Sequence, residues 1–145
     1  MHDATPGNFH TAEAAALCKL ADELRVDFFL DLHSQPEGVD TFATAPCQFN
    51  YPANLAVALE YGRRVAQALQ DAGFPSHFPQ KLSPKINMDS IVALSCAAPA
   101  VCVEFPARDA ESFDAMLERG YVVLETLLQM GTEHPFVNRA TLLGG

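Results

Sequence analysis

Asp31, His33 and Glu104 are ionisable side chains set in apolar stretches, Val-Asp-Phe-Phe-Leu-Asp-Leu-His over 26–33, interrupted also by Asp27, and Ala-Val-Cys-Val-Glu-Phe over 100–105. Residues two apart on a strand point to the same face, which sets Asp31 beside the imidazole of His33. A carboxylate holding one ring nitrogen is a common companion of a histidine that ligates a metal through the other. The same pair also describes a histidine satisfied by hydrogen bonds at a strand end. Glu104 needs a partner in its apolar strand. It suits a general base that takes a proton from an attacking water, and it equally suits an ion pair with Arg108, four residues on past Pro106. Ser34 follows His33 directly. Adjacent strand residues face opposite ways, and the chain has no Gly-x-Ser-x-Gly turn, so a serine triad is not expected.

Asp-Leu-His-Ser at 31–34, followed by Val-Cys-Val-Glu-Phe-Pro at 101–106, resembles the zinc carboxypeptidase family of the carboxypeptidase A type. The order of elements from Thr11 to Met130 agrees with the C-terminal half of that family's catalytic domain. The resemblance implies that His33 is the third zinc ligand, that Glu104 activates the attacking water, and that Ser34 helps hold the substrate through the backbone. The family's first two ligands, a His-x-x-Glu, stand well upstream of its His-Ser strand, together with the arginines that bind the substrate carboxylate. The expectation is therefore a single α/β domain over 1–145, a partial catalytic domain with a missing N-terminal segment or a partner chain. Alone it is expected to bind zinc weakly and hydrolyse little. His10-Thr11-Ala12-Glu13 does spell His-x-x-Glu, but a glutamate in a first helical turn is favoured by the helix dipole, and this pair is not expected to hold the metal. The family's mobile tyrosine ahead of the catalytic strand has no counterpart between Tyr61 and Tyr121. The implied function is zinc-dependent hydrolysis of amide bonds in peptides. An aspartoacylase-type deacylase of small N-acyl amino acids is the alternative within this chemistry, and a truncated, non-catalytic binding or regulatory domain is the alternative outside it.

These residues need strands to carry them and helices to cover the strands. Thr11 can cap a helix running to Arg25 on Ala14, Leu17, Leu20 and Leu24. Val26–Leu32 then reads as a strand buried on both faces, with His33 its last residue because Ser34–Gly38 stop it. Val39–Ala45 is a short strand candidate beside the first. Asn54 can cap a helix to Ala72, with Gly73 just beyond its end, and Arg63 and Arg64 fall on its solvated side. A short edge strand is expected between Phe74 and Pro84, where His77 reads as a surface histidine. Asn87, Asp89 and Ser90 can cap a short helix into Ile91–Leu94. Ala100–Phe105 is the second buried strand, ended by Pro106. A last helix runs from Asp109 or Ser112 to Met130 with Phe113, Met116, Leu117, Val122, Val123, Leu124, Leu127 and Leu128 as its apolar stripe. The expected architecture is three-layer, with about three to five strands in a mostly parallel or mixed sheet between helices. His33 and Glu104 then meet at one crevice beyond the strand ends.

Composition narrows the partners. With 145 residues, 49% of them hydrophobic, the chain can bury a core of its own. Its net charge of −9 leaves no basic face to neutralise phosphates and argues against nucleic acid. No apolar run approaches the ~20 residues that span a bilayer, and Met1–Gly7 lacks the basic and apolar regions of a secretion signal, so no membrane partner is expected. Cys18, Cys47, Cys96 and Cys102 show no metal-ligand spacing. They read as buried reduced thiols, which favours a cytoplasmic setting. A peptide or a small N-acyl amino acid remains as the expected substrate.

Overall fold

Alanines at helical spacing put Ala12–Leu24 into a first helix, α1, that buries Ala14, Cys18 and Ala21 along one side. The computed structural model describes residues 12–37, 42–46, 52–78, 93, 98–107 and 113–133. Helix α2 covers Pro52–Asp71. Proline presets the backbone of a first helical turn, so α2 begins before Asn54, and Asn54 is buried within that turn rather than capping it.

Both helices end in the same way. After α2, Gly73 takes φ 83, its N–H donates to the Gln70 carbonyl at 2.9 Å, and the Phe74 N–H reaches the Leu69 carbonyl at 2.8 Å. This left-handed cap closes two orphan carbonyls and brings Phe74 onto the core beside Leu69. After α1, Arg25 takes φ 51, and Arg25 and Val26 repeat the two bonds to Asp22 and Ala21 at 3.2 and 3.3 Å. A side chain in that conformation costs about 1–2 kcal/mol. Arg25→Gly is accordingly expected to raise stability by about 1 kcal/mol, read as a higher denaturant midpoint; a lower midpoint would show that Arg25 gains more from its surroundings than its backbone loses.

Among the described residues, four strands form one mixed sheet: β1 (Phe29–Glu37), β2 (Phe42–Pro46), β3 (Ser76–His77) and β4 (Ala100–Ala107), in the order β1-β4-β2-β3. β1 pairs parallel with β4, β4 antiparallel with β2, and β2 parallel with β3. The expected neighbour of β1 was β2; instead β4 lies between them, the inner position going to the strand whose Val101 and Val103 are fully buried. The strand limits also differ from expectation. β1 starts at Phe29, since Arg25 and Val26 are used in the α1 cap, and both β1 and β4 continue through their prolines. From Ser34 to Glu37, three steps on β1 match two on β4, from Phe105 to Ala107. One extra residue at the level of Pro36 and Pro106 is how a ladder accommodates proline, and β1, an edge strand among the described residues, tolerates it.

The sheet's two faces are covered unequally. On one, Val101, Val103, Leu30 and Phe105 pack against Tyr61, Val65 and Leu69 of α2 and Val123 and Met130 of a further helix, α3 (Phe113–Glu133). Phe28 meets Tyr61 edge-on with centroids 4.8 Å apart, and the Tyr61 hydroxyl donates to the Val123 carbonyl at 3.3 Å. Arg64 bonds Glu60 at 3.0 Å and Glu133 at 2.5 Å, tying α2 to α3. On the other face, Phe29 packs against Ala14, Cys18 and Ala21 of α1 and against Ala98. The α3 stripe is a correction: Met116, Leu117, Leu124 and Leu128 are exposed with Tyr121, whereas Val123 and Met130 are buried. Arg119 is buried with them, its guanidinium 5.0 Å from the Phe74 ring centroid. Among the described residues, no helix is long and apolar enough to cross a membrane.

Candidate metal centre

Parallel pairing of β1 and β4 matches Asp31 with Cys102 and His33 with Glu104. Register partners share a face and side chains alternate along a strand. Since Leu30, Val101 and Val103 enter the α2–α3 core, Asp31, His33, Cys102 and Glu104 all lie on the opposite face. α1 covers that face at Phe29, one alternation before Asp31. His33 and Glu104 thus come from directly adjacent strands about 5 Å apart. Each is the fifth residue of its strand, and His33 is not the last of β1, because the strands run on past their prolines. The site therefore sits on the face of the sheet and not in a crevice beyond the strand ends.

Within this group His33 Nδ1 and Asp31 Oδ1 are 3.0 Å apart. The His33 side chain is 52% exposed and that of Asp31 19%, so the imidazole is anchored from below and open to a ligand from above. Cys102 is buried and, like Cys18, is in no disulfide. One ligand atom each from Asp31, His33 and Cys102 lies within 4.8 Å of the others, a group that could hold a metal ion. Carboxylate oxygen, imidazole nitrogen and thiolate sulfur are all donors that zinc accepts, and a tetrahedral centre sets such atoms about 3.5 Å apart, within reach of small side-chain rotations. The donor set fits. Cys102 was not anticipated as part of a site. Its alternation with Glu104 is visible in Val-Cys-Val-Glu, but only the register with β1 sets it opposite Asp31.

Glu104 is half-buried on the inner strand, with His33 as its register partner on β1 and Ala43 on β2. The same row continues from Ala43 to His77 on β3. The Ser76 hydroxyl donates to the Ala66 carbonyl on α2, so His77, one residue on, is directed to the Glu104 side of the sheet. It stands two strands from Glu104, about 10 Å. Ser34 is the register partner of Phe105, and the placement of its side chain lies outside the described residues. So do His10, Asn87–Ser90 and Arg108, and with Arg108 the ion-pair reading of Glu104. Glu13 is exposed in the first turn of α1.

No protein-family model matches this chain, and no curated protein matches it. Among solved structures it is similar to YNDL-apo (zinc-free), with a TM-score of 0.56 at 14% sequence identity over 87% of this chain. The likeness is one of α/β fold. The match covers 63% of that chain, so this sequence spans less than two thirds of the neighbour's length.

Proposed function

We propose that the chain carries the base and one metal ligand of a zinc-dependent hydrolase of amide bonds, of the metallocarboxypeptidase kind. The observation that supports this most is the register pairing of His33 with Glu104 on adjacent parallel strands, on the face that also bears Asp31. His33 would hold the metal, and in the metal-free chain the hydrogen bond to the Asp31 carboxylate fixes its ring. Zinc held there would supply Lewis acidity and lower the pKa of a water to about 7. Glu104, on the next strand, takes the proton from the attacking water and returns it to the leaving amine. Ser34, next in β1, offers its backbone to position the substrate. The α/β likeness to a structure described as zinc-free is in keeping with this reading.

The test is hydrolysis by the zinc-saturated chain on two panels, peptides with a free C-terminus and small N-acyl amino acids. Slow, chelator-sensitive release of an amino acid from peptides is expected. Release from N-acyl amino acids alone would reassign the substrate to the deacylase class. No release from either panel at saturating zinc, or release unaffected by chelation, would overturn the reading.

A further inference from the structure

We infer that Cys102 is a third ligand of the same metal, so that β1 and β4 by themselves present an oxygen, a nitrogen and a sulfur donor to one thiophilic divalent cation. The inference rests on His33 being a ligand and adds to it the Asp31 carboxylate and the Cys102 thiolate. Cys102 and Asp31 are register partners, and one ligand atom each from Asp31, His33 and Cys102 lies within 4.8 Å of the others. The thiol approaches from the buried side and the imidazole from the half-exposed side, which leaves a fourth position toward solvent, as in catalytic zinc sites with three protein ligands. Binding displaces the proton of Cys102 and replaces the hydrogen bond between Asp31 and His33 with two bonds to the cation, so affinity should rise with pH. A sulfur donor also sets selectivity: zinc, cobalt and cadmium are taken, while magnesium and calcium, which prefer all-oxygen sites, are not.

Cobalt(II) chloride is the probe, because a thiolate ligand gives bound cobalt an intense near-ultraviolet charge-transfer band. That band should saturate at one cobalt per chain, persist in Cys18→Ser, and vanish in Cys102→Ser, with cobalt affinity reduced at least about tenfold. A band that survives in Cys102→Ser overturns the inference. Cobalt binding without the band also overturns it, yet leaves His33 as a ligand and the proposed hydrolase intact; failure to bind cobalt overturns both. Should Cys102→Ser not fold, X-ray absorption on the unaltered zinc-loaded chain decides: one sulfur at about 2.3 Å supports the inference, and a shell of nitrogen and oxygen alone contradicts it.

Discussion

Glu104→Gln is expected to lower amide hydrolysis by about a hundred- to ten-thousand-fold while leaving zinc affinity nearly unchanged. The substitution keeps the size and hydrogen-bonding reach of the side chain, so β4 should hold its place between β1 and β2. What is lost is the capacity to accept a proton, which an amide does not have. The split between rate and affinity follows from position: Glu104 stands opposite His33 on the neighbouring strand, outside the group formed by Asp31, His33 and Cys102. Steady-state rates on the responsive substrate, beside a zinc titration of the same preparation, check both halves. Equal rates in mutant and parent would remove Glu104 as the base, and a loss of zinc would make it a ligand.

His33→Ala should weaken zinc binding more than the same change at His2, His10, His77 or His134, by more than the roughly 10–100-fold that follows loss of an outer-shell partner. His77 is the informative control. It shares the row of His33 and Glu104 but lies three strands from β1, about 14 Å, too far to share an ion. His77→Ala is therefore expected to leave zinc affinity unchanged. Competition with a chelator of known affinity measures all five variants. A larger loss in His10→Ala than in His33→Ala would move the metal to the start of α1.

Local signals made much of this fold legible. Gly73 marked the end of α2 because only a left-handed residue closes that helix, and the apolar runs around Phe29 and Val101 marked the two strands that pair. Asp31 and His33 fell on one face by simple alternation. What sequence could not supply was decided between elements. Pro36 and Pro106 looked like strand ends, yet a one-residue slip in register lets both strands continue, which moved the site from the strand ends to the face. The α3 stripe contained more apolar residues than the sheet can contact, so Leu124 and Leu128 face solvent while Arg119 is buried. Cys102 had the right alternation with Glu104 from the outset, but its partner on β1 is set by pairing and not by spacing along the chain.

Anomalous scattering at the zinc edge from crystals of the zinc-loaded chain tests most directly whether this face of the sheet is a metal centre. One peak is expected about 2.0–2.1 Å from a ring nitrogen of His33, on the side of the sheet that carries Glu104. A zinc peak at His10 and Glu13 with none at His33, or no zinc on the Asp31–His33 face at saturation, would contradict it.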